Sequence, residues 1–115
     1  MSQDKAHKTQ VVETYLSAVS RGDVEQVMAL YADHATVEDP VGTEPKVGAD
    51  AIRKFYGDAA QMSINLQGTG PVRCAGNAAA FPFRLSMQGL EIDVIDVFEF
   101  DENGKVVSMK AYWGM

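Results

Sequence analysis

One cysteine, Cys74, two histidines and no CxxC pair leave this 115-residue chain without an intrachain disulfide or a metal-ligand cluster. Cys74 is expected to act as a small buried hydrophobe. No apolar run approaches the roughly 18 residues of a membrane span, and the Met1 to Lys8 stretch has no apolar segment of the kind a secretory signal needs. A cytoplasmic protein, off the membrane, is therefore expected. Basic residues are outnumbered ten to sixteen by acidic ones, and the net charge of −6 argues against nucleic acid as a partner. There is no phosphate-cradling glycine loop, internal repeat, low-complexity tract or linker. What is present is 46% hydrophobic residues in a length that predicts a single domain over residues 1–115. Such a domain buries roughly two thirds of its unfolded surface and has room for one pocket. His7, His34 and the N-terminal charges read as solvated surface.

The first half of the chain reads as helices and the second as strands, an α+β pattern. Val11, Val12, Tyr15 and Val19 recur at helical spacing from about Ala6 to Arg21, and Gly22 supplies a stop. Asp23, with Gln26 three residues on, opens a second helix whose stripe is Val24, Val27, Met28 and Tyr31 and which should end near His34. A short strand from Ala35 to Asp39 follows, closed by Pro40, which has no amide hydrogen. After a loop from Gly42 to Gly48, a third helix starts near Asp50 and buries Ile52, Phe55, Tyr56 and Ala59. From Ser63 onward the alternation is that of strands: Ile64 and Leu66, Val72 and Cys74, then Phe81, Phe83, Leu85 and Met87 on one face. Gln88-Gly89 and Asn103-Gly104 read as tight hairpin turns. The last strand, Lys105 to Trp113, should place Val107, Met109, Ala111 and Trp113 on one face. Three N-terminal helices packed on a strongly curved antiparallel or mixed sheet, a conical barrel enclosing a pocket, is the expected architecture.

One residue breaks the pattern. In the run Glu91 to Phe100, a period of two puts Asp96 on the face shared by Ile92, Val94, Phe98 and Phe100. An ionised carboxylate there would lose its hydration at a cost of about several kcal/mol, so the group must find a partner or stay protonated. A neutral carboxylic acid in an apolar pocket is a hydrogen-bond donor, and an apolar residue of similar volume would serve stability as well. Asp96 therefore reads as functional. Asp39, at a strand end beside Val37, is the second carboxylate of interest. An ionised base and a protonated donor would suit acid/base chemistry, provided their surroundings drive the two pKa values apart. Tyr15, Tyr31 and Tyr56 each fall on a helical apolar stripe, where a phenol must find a partner or reach water at the rim.

The stretches Tyr31-Ala32-Asp33-His34-Ala35-Thr36-Val37-Glu38-Asp39-Pro40 and Asp93-Val94-Ile95-Asp96-Val97 closely resemble bacterial ketosteroid isomerases. So do Gly70-Pro71-Val72-Arg73, Pro82-Phe83-Arg84, Phe55-Tyr56 and Ala111-Tyr112-Trp113, in consistent order from about Val11 to Trp113. That family is itself a standard worked case of the paired-carboxyl arrangement, so the roles that follow are what the likeness implies and not a derivation from spacing. The resemblance implies isomerisation of 3-oxo-Δ5-steroids to 3-oxo-Δ4-steroids, with Asp39 as the base carrying a proton from C4 to C6 through a dienolate. Tyr15 and protonated Asp96 would form the oxyanion hole, and Tyr31 and Tyr56 would hydrogen-bond to the Tyr15 phenol. Val19, Phe81, Phe83, Leu85, Met87, Ile92, Val94, Ala111 and Trp113 would line the apolar cavity. No cofactor or metal is implied. Relatives are homodimers through their sheets, so a homodimer is expected. The Met87 to Asp93 connection is shorter than in those relatives, and the end at Met115 is expected to trim dimer contacts. Rival readings are another enzyme of the same fold, such as a polyketide cyclase or epoxide hydrolase relative, and a non-catalytic steroid or lipid carrier.

Overall fold

The computed structural model describes residues 4–114; Met1, Ser2, Gln3 and Met115, part of the N-terminal stretch and the trimmed end read above, lie outside the described residues. Helix α1 runs from Lys5 to Arg21. Asp4 caps its first turn by accepting from the Ala6 amide at 2.8 Å, and Gly22, at φ 68°, closes it in the left-handed conformation that glycine adopts without steric cost. Helix α2 is a five-residue turn, Val24–Met28, started by the Asp23 side chain accepting from the Gln26 amide at 3.1 Å.

The expected continuation of α2 to His34 does not form. Strand β1 begins at Tyr31 and runs to Glu38, captured by β7 (Val106–Gly114) in a parallel pairing. The β1–β7 register shifts between Tyr31 and Thr36, so the buried positions Tyr31, Ala32 and Ala35 fall at near-helical spacing although the chain is extended. Tyr31 reads as a helix residue in the sequence because it continues the spacing of Val24, Val27 and Met28, and pairing with Val106 of β7 makes it the first residue of a strand in the fold. Within the expected 42–48 loop lies a two-residue strand, β2 (Lys46–Val47), antiparallel to β1. Helix α3, Ala49–Ala60, buries Ile52 and Tyr56 as the stripe requires.

Strands β3 (Asn65–Gly68), β4 (Arg73–Ala75), β5 (Ala78–Met87) and β6 (Leu90–Phe100) complete a seven-stranded mixed sheet in the order β2-β1-β7-β6-β5-β3, with β4 also on β5. The β5–β6 hairpin turns on Gln88 and Gly89, both at positive φ, as its sequence predicts. The second hairpin differs. Residues 101 to 105 bridge β6 and β7, with the Asp101 side chain accepting from the Asn103 and Lys105 amides, each at 2.9 Å. A register shift between Glu99 and Phe100 then buries Val106, Met109 and Ala111, in place of the expected series that included Val107.

The expected conical barrel is corrected by this topology. The sheet neither closes nor curls strongly, because its edge strands, β2 with two residues and β3 with four, do not pair with each other. Helix α1 packs on β3 and α3 on β1 and β2, so helices cover the flanks where closure would need strand pairing. The α+β assignment with three helices on a mixed sheet stands. No helix among the described residues is long and apolar enough to cross a membrane.

One N-terminal charge, Lys8, is not solvated surface, whereas His7 is exposed as expected. Lys8 is 1% exposed and its ammonium donates to the Gly76 carbonyl at 2.9 Å, while His7 Nε2 lies 2.9 Å from the Gly104 carbonyl oxygen. Lys8 stands on the stripe of Val11, Val12 and Tyr15, so its burial was visible in the spacing. Phe98, fully buried, sets its ring edge-on to Tyr15, Tyr31 and Phe81 and so holds the phenols beside β6. Phe98→Ala is expected to cost about 3–5 kcal/mol, read as a lowered urea midpoint in equilibrium unfolding.

Candidate active site

The alternation of β6 does what its sequence requires: Ile92, Val94, Asp96, Phe98 and Phe100 are buried and Ile95 faces out. Asp96 is 1% exposed, flanked across the sheet by Phe81 and Ala111. Its Oδ1 has no hydrogen-bond partner among the described residues. Burial, and secondarily the nearby charge of Asp39, pushes its carboxyl well above the usual carboxylate range. The group is a neutral acid with its polar end in an apolar wall.

Asp39 follows β1 directly, and its Oδ1 accepts a hydrogen bond from the Trp113 indole at 2.9 Å. Burial raises its pKa, while the Trp113 bond and the charge of Lys46 oppose the rise. Both carboxyls are raised by burial, but only Asp39 has influences that oppose the rise, an indole donor and a nearby cation. Tyr56 joins the other two buried phenols, 3.0 Å from the Tyr15 hydroxyl and 2.7 Å from that of Tyr31. Burial is the largest cause raising all three phenols, so they remain protonated donors.

A cavity of about 580 Å³ opens beside these groups, a size suited to a small organic molecule. Tyr15, Asp39, Asp96, Val19, Phe83, Leu85, Met87, Ile92, Val94 and Trp113 line it, and so does Tyr56, which the sequence reading places behind Tyr15. Phe81 and Ala111, expected to line it, do not, and neither does Tyr31, which is expected only to hydrogen-bond to Tyr15. Tyr31 lies behind Tyr56, Phe81 is sealed between Tyr15, Phe83 and Phe98, and Ala111 is buried in the sheet opposite Asp96. The reading missed Lys46, Ala51, Lys54, Asp58 and Met62 as lining, and had Phe55, Ala59, Ile64 and Leu66 only as core. The apolar stripe of α3 could have supplied Phe55 and Ala59; no periodic signal marks Lys46 or Lys54.

The comparisons with known proteins bear on what such a cavity serves. The SnoaL-like domain model matches residues 12–109. The chain belongs to the SnoaL-like domain family. The solved structure of SalBIII, described as an epoxide hydrolase/cyclase-like enzyme with a role in pyran ring formation in the polyether salinomycin, superposes with a TM-score of 0.90. The two share 27% identity over 98% of this chain and 95% of that one. Epoxide hydrolase LasB of Streptomyces lasalocidi is 27% identical over 117 residues, 94% of this chain, which spans 42% of LasB. Steroid Delta-isomerase of Nocardioides simplex is 40% identical over 106 residues, 89% of this chain and 85% of that protein. The expected identification as a ketosteroid isomerase, with a steroid as its substrate, is corrected by the epoxide hydrolase and cyclase matches in sequence and in structure. The physical reason is that a base, a neutral acid and a phenol around an apolar hollow do not themselves specify proton shuttling over ring opening.

The raised pKa of Asp96 has a sign that solution work can read. Above about pH 3.9 the unfolded chain releases this proton while the folded chain keeps it. The stabilising contribution is therefore fully present below that pH and is lost as pH rises through the folded-state value. Asp96→Asn, uncharged and similar in shape, is expected to be more stable than the native chain at neutral pH, with the advantage shrinking toward acid pH. Urea unfolding at a series of pH values measures it.

Proposed function

We propose that this protein is a cofactor-independent enzyme that opens an epoxide on an apolar, polyketide-like molecule, by attack of the molecule's own hydroxyl or of water. The observation that carries the reading is the buried Asp96 carboxyl facing a cavity that also holds Asp39, held by an indole donor, in a chain similar to SalBIII and LasB. Asp39 is the general base: it takes the proton of the attacking hydroxyl as the new carbon–oxygen bond forms. The epoxide carbon–oxygen bond breaks, and its oxygen receives the proton of Asp96, with Tyr15 donating a second hydrogen bond as charge develops there. Asp39 then carries a proton and Asp96 lacks one, and exchange through water resets the pair. Tyr56 and Tyr31 hold the Tyr15 phenol in place through the hydroxyl chain. The mostly apolar lining favours the substrate's own hydroxyl over water as nucleophile, hence ring closure over hydrolysis.

The test is turnover of an epoxide bearing a hydroxyl within ring-closing reach, followed by mass spectrometry in isotope-labelled water. A cyclic ether free of label is expected; a labelled diol would keep ring opening and replace closure by hydrolysis. Asp39→Asn should lower the rate about a hundredfold or more. Rate should rise with pH as Asp39 ionises. Trp113→Phe removes the donor that holds that carboxylate, so the acid limb should move to higher pH. Conversion of 5-androstene-3,17-dione to its conjugated isomer with no epoxide consumed would overturn the reading.

A further inference from the structure

The cavity is lined by two lysines, one ion-paired and the other, which bears electrostatically on Asp39, not. On its α3 side, Lys54 is paired with Asp58 at 3.0 Å, which leaves that turn close to neutral. Lys46 differs. It lies on the two-residue strand β2, opposite Val37, half-buried, with its ammonium 5.1 Å from the centre of the Phe55 ring. Among the described residues no carboxylate comes within ion-pair distance of it. A lysine stem laid over an aromatic face loses rotamer freedom and keeps its charge at the cavity wall. Asp96 and Tyr15, the neutral donors, sit elsewhere in the same hollow, and nearly all the remaining lining is apolar.

We infer that Lys46 is a specificity residue that receives a carboxylate on the substrate, so that the enzyme takes an apolar chain with a reacting oxygen in its body and a free acid at one end. The inference rests on the proposed ring-opening reading for the chemistry, but its binding half stands apart from turnover. The occupant carries a single carboxylate: Lys46 offers one ammonium without an ion-pair partner among the described residues, ionised Asp39 already balances its charge across the cavity, and a chain of net charge −6 would repel a phosphate dianion. A charge-assisted contact on a partly desolvated wall supports a preference of about tenfold.

Trp113 is the sole tryptophan and lines the cavity, so its fluorescence reports occupancy without chemistry. Titration with dodecanoate and with methyl dodecanoate at neutral pH is expected to show about tenfold tighter binding of the acid. Lys46→Met should bring the two to parity, and Lys46→Arg should keep the preference. With epoxystearic acid and its methyl ester as reactants, the same ratio should appear in KM and not in kcat. Equal affinity for acid and ester in the native chain would overturn the inference. So would a Lys46→Met variant that weakens both ligands alike and moves the acid limb of the rate profile upward for both, since Lys46 would then serve Asp39 alone. Acid preference without consumption of any epoxide would leave the inference standing and sink the ring-opening reading.

Discussion

A carboxyl group that stays neutral inside an apolar sheet face organises everything around it. Asp96 is buried because β6 alternates, and it stays protonated because neither hydrogen bond nor cation reaches its Oδ1 within the described residues. Its neighbours enforce the same state: Phe81 and Ala111 beside it are apolar, and the charge of Asp39 penalises a second ionised carboxylate in the same hollow. A polar atom kept at such cost is available for a donor role that water would otherwise quench, the condition under which one hydrogen bond to a developing oxyanion is worth most.

The second carboxyl is also raised by burial, but a donor and a cation oppose the rise. Asp39 lies just beyond the end of β1, where the strand gives way to a turn, and the Trp113 indole reaches it from the neighbouring strand β7. The parallel β1–β7 pairing is what brings these residues, far apart in sequence, to one place. Open edges matter here too. Because β2 and β3 do not pair, α3 and α1 form much of the cavity's remaining wall, and its contacts with substrate come from helix side chains as well as from the sheet.

How much of this was legible depended on whether a local rule governed the element. Asp96 was visible because strict alternation admits one reading of which face it shares. The Gln88-Gly89 turn was visible because only certain residues adopt its conformation. Tyr31 was misplaced because it continues the spacing of Val24, Val27 and Met28 while its partner in the fold is Val106 of β7, and Val107 because the register shift near Phe100 moves burial to Val106. Both errors come from long-range strand pairing, which no local window contains. Lys8 was a different failure: its position on the α1 stripe was readable, and its charge was allowed to outweigh the spacing. The family likeness carries positions and not the direction in which each side chain opens: Phe81 and Ala111, expected on the cavity, lie in the core, and Tyr56, expected behind Tyr15, lines it.

The same distinction separates site from reaction. A base, a neutral acid and a phenol can move a proton between two carbons or from a hydroxyl to an epoxide oxygen, and the first-order electrostatics of both are alike: negative charge leaves the base's side and is met on an oxygen by fixed donors. What distinguishes one substrate from another is the part of the cavity remote from those donors. Here β2 and α3 supply lining of that kind, with the Lys46 ammonium over the Phe55 ring and Lys54 tied to Asp58. Neither segment belongs to the strand pattern that forms the acid/base pair, so each can vary without disturbing the neutral carboxyl in β6. The two carboxyls thus come from the sheet, Asp96 from β6 and Asp39 from the end of β1, while the charged groups that complete the lining come from β2, as Lys46, and from α3, as the Lys54–Asp58 pair.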